Sequence, residues 1–232
     1  MKALMKYAVR KVSRLAMQEL ALVGRTGDSF NMTHVAFLIA AQESVQFQEQ
    51  HMPHARTFRS DLDLLTHALS NVPADGLILE FGVATGRTIR HLAGLTSRTI
   101  HGFDSFDGLP ETWRDGFEKG AFAQSMPAVP RNVVLHKGWF SDTLPDFLER
   151  SRESVALLHI DCDLYSSTAC VLNLLKDRIK PNTVIVFDEY FNYPGWKNHE
   201  HKAFEEFIKE TGMPFRFDSY VPSHQQVCVI AS

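Results

Sequence analysis

Acidic residues recur in this 232-residue chain at places where an apolar run has just ended. Glu80 closes Leu77-Ile78-Leu79, Asp104 closes Thr99 to Phe103, Asp161-Cys162-Asp163 follow Val155 to Ile160, and Asp188-Glu189 follow Thr183 to Phe187. Such runs read as strands covered on both faces of a parallel sheet, and open α/β sheets bind ligands at the carboxyl ends of their strands. Carboxylates crowded on one edge repel one another unless a cation neutralises them, and a hard cation such as Mg²⁺ takes oxygen ligands. Asp161, Asp188 and Glu189 therefore read as a divalent metal site. Asp163, just before Tyr165-Ser166-Ser167-Thr168, reads instead as a helix cap.

The first of these strand ends runs into a turn of small residues, Gly82, Val83, Ala84, Thr85 and Gly86, and then into a helix from Arg87 that includes Thr88. Small residues there let the backbone pass close to a ligand while free amides at the helix start face outward. The three-glycine dinucleotide fingerprint is absent, because Ala84 stands at its second glycine and the third is missing. A diphosphate is thus disfavoured. Glu80 and Asp104 at adjacent strand tips suit a cationic ligand with ribose hydroxyls, since carboxylates accept hydrogen bonds and repel phosphates. S-adenosylmethionine (SAM) has both features.

From Gly76 onward strand and helix patterns alternate with short turns, which predicts βαβ units in a doubly wound, seven-stranded, mostly parallel α/β sheet. The strands are Leu77 to Glu80, Thr99 to Phe103, Asn132 to His136, Val155 to Ile160, Thr183 to Phe187, Phe215 to Tyr220 and Val227 to Ala231, the last two forming an antiparallel hairpin. Helices are expected at Arg87 to Leu95, Thr143 to Arg150, Ser166 to Arg178 and Lys197 to Thr211. The long segment Asp107 to Arg131 is rich in Gly and Pro and without periodicity, and an ordered loop of that length is more often functional than decorative.

Upstream, Met1 to Val23 carries an apolar stripe beside Lys2, Lys6, Arg10, Lys11 and Arg14. It reads as a helix packed on the domain or on a second subunit in a homo-oligomer, rather than as a membrane-surface or transit segment. His34 to Gln50 and Phe58 to Leu69 are further amphipathic patterns, the first with Thr33 as cap. Residues 1–72 form an N-terminal helical lid or oligomerisation segment on this reading, residues 73–232 the ligand-binding domain, and His51 and His54 are surface histidines that could reach the site. A net charge of −3 gives no electrostatic case for nucleic acid. Nothing approaches the roughly 20 apolar residues of a membrane span. Cys162, Cys170 and Cys228 lack metal-ligand spacing and look like reduced residues of a cytoplasmic protein.

Five stretches then combine: Leu79 to Gly86, Gly102-Phe-Asp-Ser-Phe-Asp-Gly-Leu-Pro-Glu111, Lys137-Gly-Trp-Phe-Ser-Asp-Thr-Leu-Pro145, His159-Ile-Asp-Cys-Asp-Leu-Tyr-Ser-Ser-Thr168 and Val186-Phe-Asp-Glu-Tyr190. In this order they resemble the macrocin O-methyltransferase family, class I SAM-dependent enzymes that methylate sugar hydroxyls on natural products. The resemblance covers about Leu77 to Phe207. It implies that Gly82 to Gly86 hold the methionine end of SAM, that Asp104 takes the ribose hydroxyls, that Ser105 and Phe106 wall the cofactor, and that Gly138, Trp139 and Phe140 lie on the adenine side. It places the magnesium ligands on Asp161, Asp188 and Glu189. Glu189 departs from the family's usual second aspartate by one methylene, and the segment around Phe191 to Trp196 and His199-Glu200-His201 also differs, which bears on the sugar acceptor.

The implied chemistry is direct displacement on the sulfonium methyl, with a metal-held acceptor hydroxyl and Asp161 as general base. Without a metal, His199 or His201 is the base to expect. Trp139, Phe191, Tyr193 and Trp196 are either an acceptor wall or core. The rival class is a metal-dependent glycosyltransferase that uses the Asp161–Asp163 pair against a nucleotide-sugar diphosphate.

Overall fold

The computed structural model describes residues 25–26 and 29–232, so the helix expected over Met1 to Val23 lies outside the described residues. Two short antiparallel strands, β1 (Arg25–Thr26) and β2 (Ser29–Phe30), lead into helix α1 (Met32–His51). Strand β3 (Arg56–Thr57) and helix α2 (Asp61–Ser70) follow. The alternating core then runs β4 (Leu77–Phe81), α3 (Arg87–Leu95), β5 (Ile100–Asp104), β6 (Val133–Lys137), α4 (Phe140–Arg150), β7 (Val155–Ile160), α5 (Tyr165–Leu175), β8 (Val184–Phe187), α6 (Glu200–Thr211), β9 (Phe215–Tyr220) and β10 (Val227–Ala231).

The sheet has eight strands in the order β3-β9-β10-β8-β7-β4-β5-β6. Its centre is parallel: β4 pairs with β5 and β7, β5 with β6, and β7 with β8. β10 lies antiparallel between β8 and β9, the expected hairpin. All seven expected strands are present, and the eighth is the two-residue β3 at the edge beside β9.

Strands β4, β7, β8 and β10 are buried along their whole length, as continuous apolar runs in a two-sided sheet require. Successive residues supply opposite layers. Leu79, Phe81, Leu158 and Phe187 pack with Leu144, Leu172 and Phe204 of α4, α5 and α6, while Ile78, Leu157, Val184 and Val186 pack with Leu64, Leu65, Ile89 and Leu92 of α2 and α3. Truncating one of these fully buried leucines to alanine would cost about 2–5 kcal/mol.

Two expectations upstream are corrected. The cap of α1 is Asn31, whose Oδ1 accepts from the N–H groups of Thr33 at 3.0 Å and His34 at 3.3 Å, so Thr33 is the first-turn donor rather than the cap. Nor does α1 bury its apolar residues as an amphipathic helix should: Ala40 and Ser44 are its buried positions, whereas Phe37, Leu38, Ile39 and Val45 are exposed.

Candidate active site

The carboxyl ends of β4, β5, β7 and β8 open into a cavity of about 710 Å³. Its lining brings together Gly82, Ala84, Asp104, Ser105, Trp139, Phe140, Asp161, Asp188 and Glu189, each singled out in the sequence. It also includes Asp163.

One close approach fixes the geometry. Gly82 has φ +89°, and a Cβ built there would lie 1.7 Å from the backbone oxygen of Asp161. Only glycine allows the β4 turn and the β7 end to meet. Asp104 then ties the turn from the other side: its Oδ2 accepts from the N–H groups of Val83 and Ala84, each at 2.8 Å, and its Oδ1 from Phe106 at 2.7 Å. Charge-assisted bonds of this kind are the strong class. Of the ribose-binding role expected for Asp104, one free lone pair on Oδ1 remains, since each carboxylate oxygen accepts about two bonds.

Several expected contacts do not reach the cavity. Glu80 is fully buried, with Oε1 accepting from Thr88 Oγ1 at 3.0 Å and Oε2 facing His159 Nδ1 at 2.9 Å. Glu80 thus joins Thr88 to His159 behind the turn, and neither Glu80 nor Thr88 lines the cavity. Val83 and Phe106 are core residues, and Thr85, Gly86 and Gly138 do not line the cavity. Gly86, with φ +79°, is instead the residue from which α3 starts.

At the acidic end, two groups could hold a cation: His159 with Asp161 and Asp188, and Asp161 with Asp163 and Glu189, the atoms of each group lying within 4.8 Å of one another. Asp163 is not a helix cap. Leu164 occupies that position, and Asp163 sits at φ +63° in the cavity lining, only 8% exposed. Burial, followed by repulsion from Asp188, pushes the Asp163 carboxyl up to about 7. Burial and Asp188 likewise raise Asp161 and Glu189 well above the usual carboxylate range. Asp188 moves the other way. Burial opposes its ionisation, but His159 outweighs it together with Gln226, whose Nε2 donates to Oδ2 at 3.2 Å. The His159 Nε2 to Asp188 Oδ1 separation of 4.0 Å is electrostatic contact rather than a hydrogen bond. Burial disfavours charge on His159 too, yet Asp188 and Glu80 on its two sides raise its pKa well above the ordinary imidazole value.

The histidines expected as alternative bases lie elsewhere. His201 packs among Phe47, Tyr190 and Trp196, where burial brings it down to about 4. His199 is lowered by burial and lies beside Trp113 and Tyr193, and neither imidazole lines the cavity. Phe191, Tyr193 and Trp196 are core, leaving Trp139 as the wall residue of that set. Further wall comes from the Asp107 to Arg131 segment through Leu109, Trp113, Arg114, Phe117 and Phe122, and from Ser166, Ser167 and Cys170 of α5. Apart from Leu109, which falls in the Gly102 to Glu111 stretch, the only sequence signal of these segment residues was a long, unpatterned loop rich in Gly and Pro. Among the described residues, α1 and α2 contribute nothing to the cavity lining, whereas this loop walls it. His51 and His54 line a separate groove with His67, Arg216 and Asp218 at the β3–β9 edge.

Residues 79–190 match a family described as methyltransferase domain. Among curated relatives, the 8-demethyl-8-(2,3-dimethoxy-alpha-L-rhamnosyl)-tetracenomycin-C 4'-O-methyltransferase of Streptomyces olivaceus is 30% identical over 56% of this chain and 59% of its own length. The demethyldecarbamoylnovobiocin O-methyltransferase of Streptomyces niveus is 30% identical over 56% and 57%. The chain thus spans under three fifths of the length of these two relatives. The mycinamicin III 3''-O-methyltransferase of Micromonospora griseorubida is 28% identical over 74% of this chain and 82% of its own. Among solved structures, the calicheamicin methyltransferase CalS11 superposes with a TM-score of 0.59 at 24% identity, covering 90% of this chain and 96% of that one, a likeness of fold.

Proposed function

We propose that this chain, whose residues 79–190 match a methyltransferase-domain family, transfers a methyl group from SAM to a hydroxyl of a small natural-product acceptor, with a divalent cation such as Mg²⁺ at the acidic end of the cavity. One observation carries the reading: a single cavity is lined both by the Gly82–Ala84 turn and by Asp161, Asp163 and Glu189. The named relatives, all O-methyltransferases, support a hydroxyl acceptor. The glycosyltransferase reading of Asp161 and Asp163 is dropped, because both fall inside the matched domain.

The donor set fits a hard cation. Asp188 Oδ1 and Glu189 Oε2 are buried without a hydrogen-bond partner, and unpaired buried carboxylate oxygens are costly. Asp161 would hold the ion, with Asp163 and Glu189 in one of the two groups and with Asp188 in the other, and the ion when bound lowers the pKa of an acceptor hydroxyl and fixes its direction. SAM supplies a methyl already activated on sulfur. The protein's own work is alignment and proton removal. Asp104 and Gly82 hold the turn rigid, Trp139 and Phe140 flank the nucleoside side, and Trp113, Phe117 and Phe122 exclude water around the acceptor. The acceptor proton goes to a carboxylate oxygen of the Asp161–Asp163 pair, both of which line the cavity.

Calorimetric titration with S-adenosylhomocysteine, with and without Mg²⁺, tests the proposal, with a UDP-sugar plus Mn²⁺ as control. Saturable micromolar binding of the nucleoside is expected; binding of the UDP-sugar alone would overturn the reading.

We also infer a homo-oligomer built on the N-terminal region and a cytoplasmic location. The exposed large apolar residues Phe37, Leu38, Ile39 and Val45 of α1 support the first. Three unpaired cysteines support the second. Sedimentation of the full chain and of a Leu38→Asp, Val45→Asp variant checks the assembly: a wild-type monomer at micromolar concentration would rule it out.

A further inference from the structure

The residue between the two histidines, Glu200, is fully buried and opens helix α6. Its position has a purpose in the local hydrogen bonding. Strand β8 ends at Phe187, and the next N–H, of Asp188, still finds a sheet partner in the Ile160 carbonyl at 2.9 Å. Tyr190 N–H is taken by the Gln225 carbonyl at 3.0 Å. Between them Glu189 N–H has lost the ladder, because β7 has also ended, and Glu200 Oε2 accepts it at 3.0 Å. On the other side of the same residue, Tyr193 Oη, fully buried, donates to the Glu189 carbonyl at 3.2 Å. The backbone of Glu189 is therefore held at both its N–H and its C=O by side chains. Its carboxylate lines the cavity, with Oε2 buried and unpartnered beside Asp161 and Asp163.

The structure assigns Glu200, with Tyr193, as a positioning residue that fixes Glu189 in the acid group; the inference rests on the cation-assisted reading above. Glu189 has one more rotatable bond than an aspartate would have and so more side-chain freedom to lose on binding, and anchoring its backbone fixes the point from which the carboxylate reaches the group. The N-terminus of α6 favours a carboxyl at this place, and the acceptor oxygen, more than the charge, does the holding. Groups that orient a metal-binding residue from behind are commonly worth 10–100-fold in affinity or activity.

The experiment compares Glu200→Leu, which removes the acceptor oxygen at similar volume, with Glu200→Gln, which keeps one, and with Tyr193→Phe. Mn²⁺ binding by electron paramagnetic resonance, S-adenosylhomocysteine binding, hydrogen exchange at the Glu189 amide, and the separate kcat and KM values are measured. Glu200→Leu is expected to weaken Mn²⁺ about tenfold or more. It should also expose the Glu189 amide to exchange and lower kcat, while nucleoside affinity stays within about threefold. Glu200→Gln should restore Mn²⁺ affinity and amide protection to within about threefold, and Tyr193→Phe should fall between the two. The assignment is overturned if Glu200→Leu binds Mn²⁺ and protects the amide as the wild type does, or if Glu200→Gln fails as badly as the leucine. Should the wild type bind no Mn²⁺, the cation reading fails on its own account, and amide exchange with kcat still decides whether Glu200 positions Glu189.

Discussion

The two ends of the cavity are built on opposite rules. At the β4–β5 end the Asp104 carboxylate accepts three backbone N–H groups, and the turn it holds is locked against the Asp161 carbonyl. At the β7–β8 end buried polar atoms stand without partners: Asp188 Oδ1, Glu189 Oε2, Glu200 Oε1 and His159 Nε2. A satisfied network is rigid before any ligand arrives, whereas an unsatisfied one is high in energy until something pairs with it. One end is thus preorganised to receive a nucleoside. The other holds unpaired acceptor oxygens that, on the proposed reading, a cation and an acceptor hydroxyl would satisfy.

The comparison breaks most visibly at Asp188. Asp188→Ala should lower turnover roughly 10³-fold, about 4 kcal/mol in the barrier, while nucleoside binding measured by calorimetry stays near wild type. Surviving activity would mean that the unsatisfied end is not catalytic. Gly82→Ala should damage both ends together, because the added Cβ meets the Asp161 carbonyl; a stability loss of about 3 kcal/mol, or roughly 6–12 °C in melting temperature, is expected. If only nucleoside affinity falls, the two ends are not joined there. Asp104→Asn should weaken nucleoside binding roughly tenfold through loss of charged acceptor bonds, with Mn²⁺ affinity unchanged.

The smallest effect is in pH. The folded chain holds a proton on Asp163 up to about pH 7, whereas an unfolded aspartate loses it near its ordinary value of 3.8. The folded state therefore binds more protons in that window, and this group's contribution to stability falls as pH rises through it. Melting temperatures of the metal-free protein should drop by a few degrees between about pH 4.5 and 7.5, and added Mg²⁺ should reduce that drop. A flat profile unaffected by Mg²⁺ would show that the acid group is already neutralised within the chain.

The features legible in the residues were those that depend on a single strand and the turn after it. The apolar runs of β7 and β8, each followed by an acid, located the site edge because a two-sided sheet demands such runs and topology places ligands at their ends. Partnerships across strands were hidden. Glu80 faces His159 because β4 and β7 are neighbours in register at those two residues, a fact of strand order and not of spacing. Without it, Glu80 looked like a ligand contact. The wall residues Trp113, Phe117 and Phe122 sit in a loop with no period to reveal which way they point. At the start of α6 the titratable histidines drew attention, while Glu200 between them, at the one place that reaches Glu189, carried no mark of its burial.

The distribution of indole rings makes the molecule its own optical gauge. Of the three tryptophans, Trp113 and Trp139 wall the cavity, and Trp196 is sealed among Phe47 and His201 away from it. Filling the cavity changes the surroundings of the first two and leaves the third as a steady background, whereas unfolding exposes all of them. Intrinsic emission can therefore distinguish occupancy from denaturation in a single unlabelled sample, and replacing Trp139 or Trp113 with phenylalanine would tell which end of the cavity a given ligand has entered.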